Sequence, residues 1–226
     1  MTTRALLRVA IATCALAGVA LAQKPVAKPV GKPMKAAKCL PVDSTAEWYR
    51  AQRAWMDDSK GGWSDDAFRT ALLQSAGIHG SAEVPVLWGG DVKGEAPAAA
   101  GDSVLIARLR GLASQRGSTW PTRSVVGGAG TYAVWLLALR DSAIAPAVLK
   151  RMMEAGPDES PPAAVATLED RLRLARGRKQ LYATRLQRLP NGLLEPLPTE
   201  DLAHVDLRRE GAHLPPLKVS FCSVRK

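Results

Sequence analysis

The chain has 226 residues, of which 46% are hydrophobic, and a formal net charge of +10. This length fits one domain with extensions or two small domains, and the apolar fraction excludes a wholly disordered chain. Of the 31 basic residues, 7 lie in the first 38, which leaves 24 basic against 21 acidic residues beyond them. Because the remainder is nearly balanced in charge, we expect no nucleic-acid partner.

The first 22 residues have the pattern of a cleaved signal peptide. Arg4 and Arg8 precede an uncharged, mostly apolar run at residues 9–21, and Ala20-Leu21-Ala22 offers a small-residue cleavage site. That run is shorter than the roughly 20 residues needed to span a bilayer. We therefore expect cleavage after Ala22 and a periplasmic or secreted protein.

Residues 23–38 read QKPVAKPVGKPMKAAK, a basic linker with three Lys-Pro pairs. A proline at every fourth position excludes a helix and favours an extended tether. The lysines could make weak contact with an anionic envelope polymer or membrane, whereas a solvated spacer is the simpler interpretation. The partners of the chain are otherwise unknown at this level.

Two cysteines, Cys39 and Cys222, remain after the expected cleavage, because Cys14 lies within the signal peptide. In an oxidising compartment they could form a disulfide that joins the two ends of the mature chain. Two independent free thiols are the alternative, since sequence does not show whether the two residues approach each other.

Residues 39–101 are expected to form an N-terminal helical region with a long loop. Ser44 and Glu47 match a capping box at the start of a first helix. Ser64-Asp65-Asp66 then fits the start of a second helix. Residues 77–101 are rich in glycine, alanine and proline, which predicts the loop.

Residues 102–226 are expected to form a helical domain. Periodic apolar residues predict a helix that ends at Gly117, and the segment TYAVWLLAL within residues 124–139 is apolar on every side. That second pattern is typical of a buried core helix. The glycine-rich start of this run, residues 127–130, could hold an anion with backbone N–H groups, although close helix packing explains it more simply.

The domain is expected to end in a hairpin. A helix capped by Ser160 should stop at Gly177, and Pro190-Asn191-Gly192 then separates two strand-like segments. Pro196 places the second of these strands at an edge. The expected fold class is therefore mainly α, a compact helical domain with a small C-terminal β-hairpin, with α+β as the alternative.

The candidate site lies where this helix meets the hairpin. Arg171 falls on the apolar arc of the helix and Asp170 points nearly opposite, so Arg171 needs an acidic partner or a ligand. A structural ion pair is the simpler of these two interpretations. The cluster at this junction, whether binding or structural, comprises five polar residues: Asp170, Arg171, Gln180, Tyr182 and Thr184.

Established catalytic and metal-binding motifs are not found in the sequence. His79, His204 and His213 match no metal-ligand spacing, so neither a metal nor a cofactor is expected. His204 could act as a base beside a nearby aspartate, but a solvated helix-surface histidine is the simpler interpretation. The pair Asp57-Asp58 is interpreted as helix-end charge rather than as a catalytic carboxylate pair.

An ordered set of residues extends through about residues 102–217: Trp120-Pro121, Val126-Gly127, Gly130, Trp135, Asp170-Arg171, Gly177, Gln180, Tyr182, Thr184, Asp201, Val205-Asp206, Arg209 and Pro216-Leu217. In this order they resemble a bacterial family, the domain of unknown function family 6624. The resemblance implies no activity, because none is known to us for the family.

The chain departs from the family pattern at three places. Leu139-Arg140 stands where the family typically has Gln-His, and Gly128-Ala129 where an acidic pair is usual. Where the family typically has Tyr-Gly-Thr-Gln, this chain has Tyr182-Ala183-Thr184-Arg185. If a family member uses that histidine in catalysis, the resemblance implies that this chain has lost the activity. The resemblance also adds Asp206 and Arg209 to the candidate polar cluster, which then has seven residues. We therefore expect a binding or structural module, with a hydrolase-like enzyme using Asp170, Arg171, Gln180 and Tyr182 as the alternative.

Overall fold

The computed structural model describes residues 43–92, 103–115 and 119–221. The predicted signal peptide, the basic linker, Cys39 and Cys222 lie outside these residues. The predictions made for them, the disulfide among them, therefore stay predictions.

Helices dominate the described part of the chain, together with two short 3-10 turns at Ser81–Glu83 and Leu202–His204. The helices are α1 (Glu47–Trp55), α2 (Asp66–Ala76), α3 (Ser103–Ser114), α4 (Arg123–Arg140), α5 (Ala145–Ala155), α6 (Pro162–Ala175), α7 (Val205–Gly211) and α8 (Leu217–Ser220). The predicted class, mainly α with a small C-terminal hairpin, is confirmed.

The hairpin consists of β2 (Arg185–Arg188) and β3 (Leu194–Pro196), with Leu186 opposite Pro196 in the antiparallel register. A two-residue strand, β1 (Asp91–Val92), pairs in parallel with β2, so the strand order is β1-β2-β3. Pro196 lies on an edge strand as expected, since only one side of β3 is paired. β1 was not expected, because it lies within the segment predicted as a loop.

Two helix starts differ from the predictions. α1 begins at Glu47 without a side-chain cap, and Asp43 instead accepts hydrogen bonds from the backbone and hydroxyl of Thr45. The expected capping box with Ser44 is therefore wrong. α6 begins at Pro162, and the buried hydroxyl of Ser160 has no hydrogen-bond partner among the described residues. The expected cap by Ser160 is therefore wrong, and the prolines Pro161 and Pro162 remove two of the N–H groups that a helix start leaves without a partner.

The core is built around α4, which contacts α2, α5 and α6. Val126, Ala133, Val134 and Leu137 are fully buried, so the prediction of a core helix is confirmed. A helix that is apolar on every side must be covered on every side, which is why α4 lies at the centre. A smaller apolar cluster that includes Leu186, Val205 and Phe221 lies under the hairpin.

The start of α4 is interrupted by Gly127, whose φ of 73° and ψ of 171° turn successive N–H groups outward. The carboxylate of Asp58 accepts hydrogen bonds from Gly128 N–H at 2.7 Å and Ala129 N–H at 3.2 Å. Arg69 pairs with the same carboxylate at 2.9 Å. The glycine-rich turn thus holds an internal anion. Asp58, interpreted from sequence as a helix-end charge, is a largely buried acceptor at the start of the regular part of α4.

Gly128 also packs closely against the end of α1. A Cβ atom added there would lie 2.8 Å from the carbonyl oxygen of Trp55 and 3.0 Å from Cα of Met56. Since backbone atoms cannot easily retreat, we expect Gly128→Ala to lower the free energy of unfolding by about 1–3 kcal/mol in urea titrations. Gly111→Ala is the control, because Gly111 lies in α3 with open space around it. That change should stabilise by about 0.5–1 kcal/mol, and equal effects of the two substitutions would contradict this packing.

Candidate functional site

Asp170 lies on α6 and is fully buried. Its carboxylate accepts hydrogen bonds from the backbone N–H groups of Leu181 at 2.6 Å, Tyr182 at 3.1 Å and Thr184 at 3.0 Å. The Thr184 hydroxyl donates a further bond at 2.9 Å. Residues 181–184 have no regular secondary structure, so their N–H groups need a side-chain acceptor. Asp170 provides it and fixes this segment against α6.

The expected roles of Asp170 and Arg171 are reversed in the structure. Asp170 is the buried residue and Arg171 is half-buried. The prediction considered one apolar face of α6, whereas residues 181–184 cover a second face, on which Asp170 lies. Burial raises the pKa of Asp170, and the hydrogen bonds from Thr184, Leu181 and Tyr182 oppose that rise.

Gln180 is buried at the entry to the hairpin. Its side-chain oxygen accepts from the N–H of Arg185 at 3.0 Å, and its amide donates to the carbonyls of Arg185 and Leu197 at 3.0 and 2.8 Å. Its backbone pairs with Pro198 and Glu200. The side chain therefore bonds to backbone on both sides of the hairpin, and its two polar atoms are satisfied within the fold.

Arg209 is a fully buried residue of α7. Its guanidinium donates to the carbonyls of Pro215 at 2.7 Å, Tyr182 at 2.7 Å and Trp88 at 2.9 Å. It also donates to the Gly89 carbonyl at 3.2 Å and to the Ser220 hydroxyl. Burial lowers the pKa of Arg209 to about 10, which leaves the group charged at pH 7. One side chain thus joins chain segments that are far apart in sequence.

Gly89 allows the chain to pass close to that guanidinium. Its φ is +55°, and a Cβ atom there would lie 3.2 Å from side-chain atoms of Leu214 and Thr184 and 3.4 Å from Nη2 of Arg209. Side chains other than glycine rarely adopt this φ. The contact between residues 88–89 and Arg209 therefore depends on this glycine.

The remaining candidates are distributed around this arrangement. Thr184 is buried beside Asp170, and Tyr182 is half-buried, with burial raising the pKa of its hydroxyl. Asp206 is exposed on the outer face of α7 and accepts the N–H of Leu217 at 2.7 Å. The structure thus links Asp170, Tyr182, Thr184 and Arg209 through residues 181–184, in contacts made largely with backbone atoms.

A solvent-open groove of about 360 Å³ lies between α1 and α7, and we refer to it as the α1–α7 groove. It is lined by Glu47, Trp48 and Ala51 of α1, by Ala203, His204, Asp206, Leu207 and Glu210 at α7, and by His213, Leu214 and Pro216. Of the predicted cluster, only Asp206 is among these lining residues.

The α1–α7 groove combines apolar surface with negative charge. Trp48 is half-buried and packs on Trp88, with ring centroids 5.2 Å apart, and Leu207 is 67% exposed. Glu47, Asp206 and Glu210 contribute three carboxylates. Within the described part of the chain, none of these three forms an ion pair. Beyond residue 38 the chain has 24 basic and 21 acidic residues, so a groove lined by three carboxylates is a distinct local feature.

Arg209 supports the wall of this groove. Its bond to the Trp88 carbonyl fixes the backbone of the residue whose ring packs against Trp48, a groove residue. The same helix α7 carries Asp206, Leu207 and Glu210 into the groove. The buried polar cluster and the groove are therefore connected, with the cluster on the inner side of α7 and the groove on the outer side.

His213 lies between this groove and a small apolar cavity lined in part by Trp55, Leu87 and Tyr132. The residue has a φ of 54°, and its carbonyl accepts from the Gln52 side chain at 2.6 Å. Its Nδ1 is buried and has no hydrogen-bond partner among residues 43–92, 103–115 and 119–221. This nitrogen is a polar atom in the groove region that a ligand or a water molecule could satisfy.

His204 is the histidine most suited to proton transfer at this groove. Its Nδ1 lies 2.9 Å from Oδ2 of Asp201, and its side chain is 66% exposed. The residues that line the groove include no serine, threonine or cysteine to serve as a nucleophile. Across the described residues, no group of three or more His, Cys, Asp or Glu side chains could hold a metal ion.

Sequence reasoning did not find the groove, because its walls come from α1 and α7, which lie far apart along the chain. The only local signal was a leucine among charged neighbours in DLRRE, which the structure shows to be exposed.

No helix among the described residues is both long and apolar enough to cross a membrane. Comparisons with family models, with curated proteins and with solved structures gave no match.

Proposed function

We propose that the chain is a binding module of the periplasm or the extracellular space, and that the α1–α7 groove is its ligand site. The observation that carries this proposal is that one groove combines open apolar surface with three carboxylates that form no ion pair in the described part of the chain. The residues of the buried polar cluster support it indirectly. Asp170, Gln180 and Arg209 direct their hydrogen bonds mostly to backbone atoms, so a structural role accounts for them.

The composition of the groove favours a cationic ligand with an apolar part. Glu47, Asp206 and Glu210 attract positive charge, and the indole of Trp48 can bind an ammonium or guanidinium group on its face. Leu207 adds apolar area that a ligand would cover. A peptide segment that carries lysine or arginine beside apolar residues fits this combination.

Hydrolysis remains the second candidate, and the contact between His204 and Asp201 favours it. In such a mechanism Asp201 would orient the imidazole and His204 would activate a water molecule. The alternative site around Asp170, Arg171, Gln180 and Tyr182 has less support, because Asp170 and Gln180 are fully buried.

We further propose that the resemblance to family 6624 reflects a shared fold rather than a shared activity. Asp170, Gln180 and Arg209 belong to the resemblance, and each makes fold-maintaining hydrogen bonds.

Leu207→Ser tests the proposed site. The protein to be measured is the chain without residues 1–22, which we call the exported chain. We expect it to bind lysine-containing decapeptides more tightly than matched glutamate-containing ones in titration calorimetry. Loss of the leucine contact should weaken the lysine peptides by roughly tenfold, since burying such a side chain contributes about 1.5–3 kcal/mol. Met153→Ser is the matched control, because Met153 is 56% exposed on α5, which contributes no residue to the groove lining. Two results would disprove the site. One is equal affinity of Leu207→Ser and Met153→Ser for the lysine peptides, and the other is equal binding of the lysine-containing and glutamate-containing peptides.

A further inference from the structure

We propose that the ligand of the α1–α7 groove is the Lys-Pro segment of the same chain, residues 23–38. This inference rests on the proposed function, because it requires that the groove binds cationic segments. It adds the identity of the occupant and makes the groove a self-binding site.

Charge complementarity is the first support. The segment QKPVAKPVGKPMKAAK carries five lysines and no acidic residue. Glu47, Asp206 and Glu210 line the groove and form no ion pair in the described part of the chain. The five positive charges of the segment attract these three carboxylates, so the segment is expected to bind in the groove where the geometry allows.

The aromatic surface of the groove is the second support. Three Lys-Pro pairs favour an extended, polyproline-like backbone, and such segments commonly bind in grooves lined by aromatic rings. Trp48 lines the groove and packs on both Trp88 and Tyr49, with ring centroids 5.2 and 5.8 Å apart. A proline ring can stack on such an indole while the adjacent lysine reaches a carboxylate.

The position of the segment along the chain is the third support. Glu47, a groove residue, is the first residue of α1 and follows Lys38 by only nine positions. An extended chain of nine residues reaches at most about 30 Å, which keeps Lys38 in the neighbourhood of α1, while the earlier lysines can reach farther. Short tethers of this kind give effective concentrations on the order of millimolar. Even a weak interaction would then keep the groove occupied.

Occupation of the groove by this segment has a consequence for other partners. The same lysines would be needed for contact with an anionic envelope polymer. A polymer that captures the lysines would therefore free the groove, and an occupied groove would hold the lysines away from the polymer.

Carbodiimide cross-linking of the exported chain, mapped by mass spectrometry, tests the proposal. We expect lysines 24–38 to be joined to Glu47, Asp206 or Glu210 within one molecule, at a yield that does not change on dilution. Leu207→Ser removes an apolar contact without removing any reactive group. A contact weakened by roughly tenfold should lower this yield by about twofold, because an effective concentration on the order of 1 mM still fills part of the groove. Met153→Ser should leave it unchanged. Equal yields at exposed Asp158 and Glu154, or links only between molecules in a mixture of isotopically light and heavy chains, would overturn the proposal.

A competition experiment separates failure of this inference from failure of the proposed function. The probe is the synthetic peptide QKPVAKPVGKPMKAAK, added to chains in which all five linker lysines are replaced. The Lys→Gln chain has lost the competing positive charges, whereas the Lys→Arg chain keeps them. The Lys→Gln chain should therefore bind the peptide roughly tenfold more tightly, for a peptide dissociation constant of ~0.1 mM and an effective linker concentration on the order of millimolar. Equal binding to both chains would overturn self-occupation while leaving the groove a binding site. Absence of binding to both would overturn the proposed function as well.

Discussion

Arg209→Ala is expected to lower the free energy of unfolding by about 4 kcal/mol. The substitution removes a buried guanidinium that donates to the carbonyls of Pro215, Tyr182, Trp88 and Gly89. These carbonyls would be left in a dry site without donors, and each such loss costs about 1–3 kcal/mol before relaxation. The measurement is urea unfolding followed by circular dichroism.

Two further variants sharpen this expectation. Arg209→Lys keeps the charge but lacks the planar fork, so it should recover less than half of the lost stability. Arg176→Ala removes an exposed arginine at the end of α6 and should change stability by less than about 0.5 kcal/mol. A loss below about 1 kcal/mol for Arg209→Ala would show that Arg209 does not hold these segments together.

Asp170→Ala is expected to cost about 3 kcal/mol, because the N–H groups of Leu181, Tyr182 and Thr184 would lose their acceptor. Thr184→Val removes only the hydroxyl donor and should cost about 1 kcal/mol. Asp158→Ala, at an exposed position, is the control and should be nearly neutral. If Asp170→Ala and Asp158→Ala unfold at the same urea concentration, the assignment of Asp170 as a structural acceptor is wrong.

The pH dependence of Asp170 provides a second readout. Its pKa in the folded chain is raised above the ordinary value of 3.8, because burial disfavours the charged carboxylate. The folded state therefore holds its proton more tightly than the unfolded state. Compared with Asp170→Asn, the wild-type chain should lose stability as the pH rises from 3.8 through the folded pKa. A relative gain over that range would contradict the direction of the shift.

The elements that sequence reasoning predicted best are those with a local cause. α4 was recognised because TYAVWLLAL is apolar on every side, and the hairpin because Asn191-Gly192 lies between two strand-like segments. Gly192 has a φ of 78°, which such a turn requires and which glycine adopts readily. Periodicity and turn chemistry act over a few residues, so the sequence carries them directly.

The misassigned residues depend on contacts that are distant in the chain. The burial of Asp170 results from an irregular segment that folds back onto α6, and no helical period reveals such a cover. Asp58 is held by the N–H groups of Gly128 and Ala129, some 70 residues later in the chain. In both cases a charged residue lies in the interior because backbone donors satisfy it, a situation that composition alone does not indicate.

The candidate site shows the same distinction. Six of the seven predicted polar residues take part in the hydrogen bonds described above, namely Asp170, Gln180, Tyr182, Thr184, Asp206 and Arg209. Asp170, Gln180, Tyr182 and Thr184 were selected because polar side chains are dense in that stretch of the sequence, and Asp206 and Arg209 because they belong to the resemblance. Neither criterion distinguishes a binding surface from residues that stabilise the backbone. The α1–α7 groove needs Trp48 and Leu207 to be close in space, and the fold alone provides that proximity.

The most direct test of this account compares peptide affinity in Thr184→Val and Leu207→Ser, both made in the chain whose linker lysines are replaced by glutamine. Titration calorimetry with the peptide QKPVAKPVGKPMKAAK is the measurement. If the polar cluster stabilises the fold and the groove binds the ligand, Thr184→Val will keep the affinity of its parent, although it unfolds at lower urea. Leu207→Ser will lose roughly tenfold in affinity and unfold like its parent. Loss of binding in Thr184→Val with full binding in Leu207→Ser would place the ligand at the polar cluster and contradict the account.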